Sequence, residues 1–541
     1  MALCMIATSY LSATVVNFQE EASEVILHSL KTQPKEGFLR ELYTELLFLP
    51  VWVKEGNLST SATELFEMID SDKTLNTQGK LYQDTQRLKS YAKHLYESNS
   101  TLAQKVDLEF KLSQLYEGYS NYHYFGSINW GAFNDRIRNL LVNDVHTEWV
   151  LHRPNVDPIA LLEKVLLEGE DLKQLFLENP FLDYHYQALE QVLIDYLAIA
   201  KKGGFPPISL KTPFRVGRKS QGVIALRERL ALEGYLKESS TPLEPTRYDE
   251  NLSLALKAFQ KSYGLKASGV VNKTTLRYLN RDINQTITQL RLNLDRIKWL
   301  HQRNASKHII INIPDFKLFF ESNETLIDSM RVIVGRGNHP TPIFSDTVEY
   351  IVLNPYWNVP KSIVQKEFIP KLLRDPYAMQ KKGIEIRRGW GKGAKLVNPT
   401  TVDWKKYRYG AMPFHFAQKP GRRNALGKVK FLFPNKFSVY MHDTPNKRLF
   451  KRQKRAFSHG CIRLQNPRGL LKTFASFEPN IHFESAQKVL KGKKKKFLSL
   501  KEKVPVDIVY LTAWVDYNGT VQFRDDIYGY DKMQLKSFRR W

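Results

Sequence analysis

Cysteine is the scarcest residue of this chain, with only Cys4 and Cys461 among 541 residues. The paired cysteine spacing of a structural zinc site is therefore missing. The apolar N-terminal stretch 3–16 is too short to span a bilayer, and no later segment is long and apolar enough for a transmembrane helix. No zinc-finger pair and no aromatic RNA-binding signature is present either.

Acidic residues are also few relative to basic ones: 55 Asp and Glu stand against 81 Lys and Arg, a net charge of +26. Such an excess favours a polyanionic environment, which can be nucleic acid, an acidic membrane face or an anionic cell wall. Charge alone does not choose among the three. The dense run Lys491–Lys496 is predicted to be a solvated loop.

The N-terminus allows three interpretations. Residues 1–19 resemble a signal peptide, because Leu3–Val16 is uncharged and has the length of an apolar signal region. The basic residue that normally precedes such a region is absent, so a signal peptide truncated by a misassigned start is expected. A membrane-proximal anchor and a buried first helix are the alternatives.

A chain of this length predicts about two to four domains. Residues 20–205 show apolar side chains three and four apart with few glycines and prolines, which predicts a helical scaffold domain. The segment Lys202–Pro207 reads as a linker. Residues 210–282 predict three short helices, and residues 300–541 predict a mostly-β domain. The expected fold class is α+β multidomain.

The strand pattern of the last domain is specific in several places. Ile309–Ile313 and Phe316–Phe320 predict a hairpin, and Asn518-Gly519 predicts a tight turn between two late strands. Two more strands are predicted at Lys430–Phe433 and Phe437–Met441, the second ending beside His442, and Val506–Val515 predicts a long late strand. The mixed, basic segment 362–424 interrupts the pattern and predicts an insertion that covers a site.

The chemistry centres on Ser458-His459-Gly460-Cys461-Ile462-Arg463, with His442 nineteen residues before the cysteine. A thiol attacks as its thiolate, and a nearby imidazolium stabilises that form and later returns the proton. Gly460 permits close backbone approach, so amides around Gly460 and Cys461 are expected to meet an oxyanion. Arg463 suits a substrate carboxylate or a structural ion pair.

These residues resemble the catalytic motif of the L,D-transpeptidases of the YkuD type. The segments Gln418–Gly427, Phe433–Asn435 and Arg455–Cys461 are similar to the large YcbB-like members, as is the order of helical region, small module and β domain. Residues 210–282 are similar to the peptidoglycan-binding type 1 domain at Leu226–Leu230, Phe259-Gln260 and Tyr263–Leu265. This similarity identifies a fold better than it identifies a functional binding groove.

The resemblance implies a periplasmic enzyme that cross-links peptidoglycan and is acylated by carbapenems. Cys461 would be the nucleophile and His442 the general acid/base, with Ser458, His459 and Gly460 shaping the oxyanion region. The thiolate would attack the third-residue carbonyl of a tetrapeptide stem, release D-alanine and pass the acyl group to an amine of another stem. The insertion 362–424 would be a capping segment.

Substrate-binding candidates are Arg463, Tyr356 and Trp357. No cofactor and no metal are implied. The expected partners are peptidoglycan stem peptides and glycan, not nucleic acid. Contact with other cell-wall synthesis proteins, inner-membrane association through the N-terminus and the oligomeric state stay open.

Two other functions compete with transpeptidation. A carboxypeptidase or endopeptidase would use the same thiolate with water as acceptor, and a wall-binding protein would leave the thiol inert. A zinc site formed by His442, His459 and Cys461 is a remote third alternative.

Overall fold

The computed structural model describes residues 13–32, 34, 36–139, 148–152, 154–178, 184–237, 244–300, 305–389 and 391–538. The predicted signal segment and Cys4 lie largely outside these residues. Within them the α-helices are α1 Ala13–Leu30, α2 Phe38–Glu45, α3 Thr60–Ser71, α4 Lys80–Glu97, α5 Leu102–Phe125, α6 Trp130–Asn139, α7 Pro158–Glu163, α8 Leu172–Leu177, α9 Tyr184–Lys201, α10 Gly222–Leu232, α11 Glu250–Ser262, α12 Lys273–Leu279, α13 Ile283–Lys298, α14 Lys361–Ile363, α15 Ile369–Leu372, α16 Pro467–Ala475, α17 Phe483–Lys491 and α18 Tyr530–Leu535.

The strands follow mainly after residue 306. They are β1 Lys307–Asn312, β2 Lys317–Ser322, β3 Thr325–Gly335, β4 Phe344–Leu353, β5 Trp357–Asn358, β6 Ile384–Arg388, β7 Lys395–Leu396, β8 Phe414–Gln418, β9 Val429–Leu432, β10 Met441–His442, β11 Ala456–Ser458, β12 Ile462–Leu464, β13 Lys496–Val509, β14 Ala513–Val515 and β15 Val521–Phe523. The predicted α+β class is confirmed: a helical N-terminal region and a small helical module precede a mostly-β domain.

The helical N-terminal region is organised around a buried carboxylate. Glu109 of α5 accepts hydrogen bonds from the backbone N–H groups of Val51, Trp52 and Val53 and from the hydroxyl of Tyr43. Burial raises the pKa of Glu109 to about 7 in spite of these donors. The carboxylate thus fixes the loop after α2, which carries the fully buried Trp52.

The small module consists of α10, α11 and α12, as the three predicted stripes require. Val223, Leu226 and Leu230 are completely buried along α10. Asp249 accepts a hydrogen bond from the Leu252 N–H and so caps α11, which satisfies an amide that the helix leaves unpaired.

The module is docked on the β domain. Arg524 donates from Nη1 to the Ser262 carbonyl at 2.7 Å and from Nε to Asp315 Oδ1 at 2.8 Å. The rings of Tyr263 and Phe523 stack with centroids 4.9 Å apart. Module and β domain therefore share both polar and apolar contacts.

A nine-stranded sheet forms the frame of the β domain, in the order β11–β3–β12–β10–β9–β4–β13–β1–β2. The predicted hairpin is confirmed, since β1 and β2 pair antiparallel with Ile310 opposite Phe319. Ile309 and Ile311 pack in the main core of the domain, whereas Ile310 packs toward the module and α13. Both faces of this strand are buried, which explains its continuous isoleucine run.

The basic insertion folds as a separate small unit between β4 and β9, and we call residues 362–424 the cap. Its strands pair with β5 in a four-stranded sheet of order β5–β8–β6–β7. The helical stretch from α14 through the π-helix Val364–Phe368 to α15 packs on this sheet through Phe368 and Ile369. The cap thus has its own apolar core.

Three local predictions differ from the structure. The predicted strand 437–441 is reduced to β10, because the side chain of Asn435 accepts the N–H of Val439 and donates to its carbonyl. The predicted strand 506–515 breaks after β13, where Asn312 and Asn293 accept the next amides. The lysine run is not entirely loop, since β13 begins at Lys496. Among the described helices, none is long and apolar enough to cross a membrane.

Candidate active site

The sheet register brings four polar side chains from three neighbouring strands to one face. β10 lies between β9 and β12, with His442 paired to Lys430 on one side and to Arg463 on the other. Paired residues in neighbouring strands point to the same face. Cys461 precedes Ile462, which pairs with Met441, so Cys461 shares the face of Arg463, two residues along the strand.

The opposite face of the same strands is apolar. Phe431, Met441, Ile462 and Leu464 alternate with the polar residues and are fully buried in the main core. A slip by one residue would exchange the two sets, which the buried face makes costly. The hydrophobic pattern therefore fixes which side chains surround the thiol.

Cys461 is half-buried, and its Sγ lies 3.8 Å from the Ser438 carbonyl oxygen. Burial raises the pKa of the Cys461 thiol, although Tyr440, Lys430 and Arg463 all act in the opposite direction. The resting group is accordingly the neutral thiol, held beside cations that favour its ionised form.

His442 is buried at the strand end where the sequence predicts it. Its Nδ1 lies 2.5 Å from the Asp443 carbonyl oxygen, a contact in which Nδ1–H donates, so Nε2 is left as the acceptor nitrogen. Burial, followed by the charge of Arg463, lowers the pKa of His442 to about 3. The imidazole is therefore neutral at rest, unlike the expected imidazolium.

Asp443 is itself positioned by close packing. Its carboxylate accepts the Lys428 N–H at 2.9 Å and pairs with Lys447 at 2.7 Å. A Cβ at Gly427, which has φ +61°, would come within 2.3 Å of Asp443 Oδ2. Only glycine leaves room for the residue whose carbonyl orients His442.

The sequence did not indicate Lys430 as a site residue. Its Nζ lies 3.5 Å from the centroid of the Tyr440 ring, a cation–π contact. Burial lowers the pKa of Lys430 to about 8, and Cys461 opposes that shift. The sequence placed Lys430 in a strand, but its position beside His442 depends on register, which spacing alone does not provide.

The motif loop, residues Ser458–Cys461, is held by the hydroxyl groups of Ser458 and Thr341. Gly460 has φ +108°, its N–H donates to Ser458 Oγ at 3.1 Å, and its carbonyl accepts from Thr341 at 2.8 Å. The Gly460 amide is thus engaged inside the loop by Ser458. Ser458 thus stabilises the loop, and its role in the oxyanion region stays a prediction.

His459 joins the motif to the cap. Its Nε2 lies 2.6 Å from Glu367 Oε1, a residue of the cap, and 2.9 Å from the guanidinium of Arg336. The ring of His339 stands edge-on to His459 with centroids 4.9 Å apart. Burial lowers the pKa of His459, and Glu367 opposes that effect. We call the Glu367–His459–Arg336 group the latch.

The two aromatic candidates for substrate binding lie at the base of the cap. Tyr356 is 43% exposed. Trp357 is partly buried against the core of the cap, with its ring 6.2 Å from that of Phe368. Trp357 therefore has a packing role there, whereas Arg463 lies on the face of Cys461. In the described part of the chain no group of three His, Cys, Asp or Glu side chains could hold a metal ion.

Comparison with known families agrees with this arrangement. Residues 306–481 match the family described as L,D-transpeptidase catalytic domain. Residues 37–193 match a scaffold domain, and residues 219–279 match a putative peptidoglycan binding domain. The three segments follow the order of helical region, small module and β domain.

A curated protein of Haemophilus influenzae described as a putative L,D-transpeptidase is 33% identical over 247 residues, which are 46% of this chain and 49% of that protein. The chain thus spans about half the length of the curated relative that it matches.

Solved L,D-transpeptidase structures are more distant. One from Stackebrandtia nassauensis is 14% identical and covers 55% of this chain and 97% of its own, with a TM-score of 0.22. One from Mycobacterium smegmatis is 11% identical and covers 38% and 58%, with a TM-score of 0.18. Scores this low support no conclusion. Residues 306–481 of this chain are thus similar to the L,D-transpeptidase catalytic-domain family, and the description of the curated relative names the same activity.

Proposed function

We propose that the protein is a peptidoglycan L,D-transpeptidase that uses Cys461 as its acyl carrier. The donor is a tetrapeptide stem, and the product is a 3→3 cross-link between third residues. The observation that carries the proposal is the register of β9, β10 and β12, which groups Cys461, His442, Lys430 and Arg463 on one face of the sheet.

Acylation begins with a neutral pair. The unprotonated Nε2 of His442 takes the Sγ proton as the sulfur attacks the third-residue carbonyl carbon of the donor stem. Lys430 and Arg463 stabilise the negative charge that develops, because both are partly desolvated beside the sulfur. The thiolate therefore forms during attack and is not stored beforehand.

The oxyanion of the tetrahedral intermediate requires a donor other than Gly460, whose N–H binds Ser458. We assign this role to the backbone N–H of Cys461, supported by the positive charge on the same face. One such donor contributes about 2.7–4 kcal/mol in comparable sites. Collapse of the intermediate breaks the bond to D-alanine, whose amine receives the proton from His442.

Transfer to the acceptor repeats these steps in reverse. A side-chain amine of a second stem attacks the thioester carbonyl, His442 accepts the amine proton, and Cys461 leaves as the thiol after reprotonation. The new amide is the cross-link. Water in place of the amine would give a carboxypeptidase reaction with the same residues.

The small module and its setting fit a wall-bound substrate. The putative peptidoglycan binding domain at residues 219–279 favours peptidoglycan as the polymer on which the enzyme acts. Peptidoglycan lies outside the cytoplasm, and we propose the periplasm as the compartment.

The direct test incubates purified protein with disaccharide-tetrapeptides and measures products by mass. Dimers that have lost one D-alanine support transpeptidation. Tripeptides without dimers would instead establish hydrolysis, and no turnover by the wild type would defeat both. Cys461→Ala is the control for contaminating activity.

A further inference from the structure

The cap contains a cavity of about 670 Å³ whose lining has no role so far. This volume lies within the usual range of ligand pockets, roughly 300–1,000 Å³. Its floor includes Ile384 and Ile386 of β6, and its rim carries a group of basic side chains, namely Lys381, Lys382, Lys419, Arg422 and Arg423.

The cap is far more basic than the rest of the chain. Residues 362–424 contain 15 Lys and Arg against four Asp and Glu. One of these acids, Glu385, belongs to the cavity lining but is already engaged by Lys419 at 2.6 Å and by Arg387 at 2.7 Å. The cavity therefore has a strong positive excess without an acidic group left to balance it.

Three of the rim cations lack an acidic partner. In the described ranges, no carboxylate lies within ion-pair distance of Lys382, Arg422 or Arg423. Lys371 is in addition so close to Lys382 that its charge, after burial, lowers the pKa of Lys382. Like charges held together in this way are relieved when an anion binds between them.

Buried amides hold the backbone of the two segments that carry these cations. Gln418, which is 6% exposed, donates from Nε2 to the carbonyl oxygens of Lys382 at 2.9 Å and of Arg423 at 3.0 Å. Asn424, which is 1% exposed, ties the same loop to the Gln418 carbonyl at 3.1 Å. The two basic segments are thus joined by a preorganised frame, which lowers the cost of binding.

One rim cation of the cavity lies near the contact between the cap and the cysteine motif. Lys382 lies within electrostatic reach of Glu367, and Glu367 bonds His459, two residues before Cys461.

We propose that this cavity binds the acceptor stem through its carboxylates, with the guanidinium groups of Arg422 and Arg423 and the ammonium of Lys382 as the recognising groups. Guanidinium forks match carboxylates in bidentate fashion. The donor stem has its own cations in Lys430 and Arg463, which leaves the cap for the second stem. The inference rests on the proposed transpeptidation.

The test separates the two half-reactions in the full-length protein. A triple variant, Lys382→Gln with Arg422→Gln and Arg423→Gln, is compared with a control triple, Lys405→Gln with Lys406→Gln and Arg408→Gln. The control removes the same charge from residues of the same cap that do not line the cavity. Acylation of Cys461 by a carbapenem is followed by intact mass, and cross-linking is followed as a function of acceptor concentration.

We expect the cavity triple to raise the KM for the acceptor about tenfold or more, as loss of charge-assisted hydrogen bonds implies. Its carbapenem acylation should stay within about twofold of wild type, which also shows that the variant is folded. An acceptor whose carboxylates are amidated should lose affinity for the wild type and not for the triple.

Three results would overturn the assignment. They are an unchanged acceptor KM, an equal rise in the control triple, and competition by inorganic phosphate with no discrimination against the amidated acceptor. The last would point to a phosphate polymer. A wild type that neither forms the adduct nor makes dimers would instead refute the proposed transpeptidation itself.

Discussion

At the residue scale, different side chains supply the positive charge and the base that act on the Cys461 thiol. Lys430 and Arg463 provide positive charge, whereas the buried His442 is kept neutral with Nε2 open. His442 therefore does not have to be protonated at rest, because the Sγ proton moves to its imidazole only when the sulfur attacks. This division of roles also predicts where activity should and should not depend on pH.

On the acid side, the rate of acylation should show no transition near pH 6.5, the ordinary range of histidine. The pKa of His442 is lowered to about 3, so the imidazole stays unprotonated and competent above roughly pH 4. Acylation rates measured from pH 4.5 to 7.5 would reveal this. A fall of the acylation rate to half its maximum close to pH 6.5 would mean that His442 titrates normally.

On the alkaline side, the wild-type rate should decline above about pH 8. The pKa of Lys430 is lowered to about 8, so its charge is present below that pH and is lost as the pH rises through it. Lys430→Arg should move the decline upward, since arginine stays charged. Lys430→Met should reduce acylation about tenfold at pH 7.

The exposed Lys501→Met serves as the matched control for charge loss. Overlapping alkaline limbs for wild type and Lys430→Arg would remove Lys430 from the reaction.

At the element scale, the latch joins two units that are separated in sequence. The cap arises between β4 and β9, yet Glu367 in its helical stretch bonds His459 of the motif loop. The sequence predicted both the insertion and the motif loop. It could not predict their contact, because a single glutamate within a basic segment carries no signal for its partner 92 residues away.

Glu367→Gln should loosen the cap at this point. The Glu367–His459 pair is partly exposed, so its removal should lower the local stability by about 1 kcal/mol or less. Hydrogen exchange at residues 361–372 and 458–461 should then accelerate up to about fivefold. Glu349→Gln, which removes a surface pair with Lys503, is the control, and identical exchange in both variants would argue against the latch.

At the scale of the whole molecule, the small module packs directly against the β domain. The sequence predicted its three helices, whose apolar stripes are a local pattern. It did not predict that Arg524, near the other end of the chain, would reach its Ser262 carbonyl. Likewise, strands were predictable from alternation, but the parallel pairing of β10 with β12, which makes the thiol face, depends on long-range packing.

Arg524→Ala should destabilise this junction. It would remove the partner of the buried Asp315 carboxylate at 2.8 Å and leave Lys317 at 3.6 Å, a change that costs less than the about 3–5 kcal/mol of a buried charge left unpaired. Thermal unfolding should show a lower Tm, and limited proteolysis should cut sooner between the module and β1. Lys503→Ala, at a surface pair, should leave both unchanged. A variant Arg524→Ala as stable as wild type would show that the apolar contacts alone hold the junction.

The central claim is that the thiol of Cys461 carries the acyl group. Intact mass of the protein after exposure to a carbapenem tests it most directly. We predict one added carbapenem on the wild type, none on Cys461→Ala, and a slowed rate on His442→Ala. A wild type that remains unmodified, or an adduct that persists in Cys461→Ala, would contradict the account.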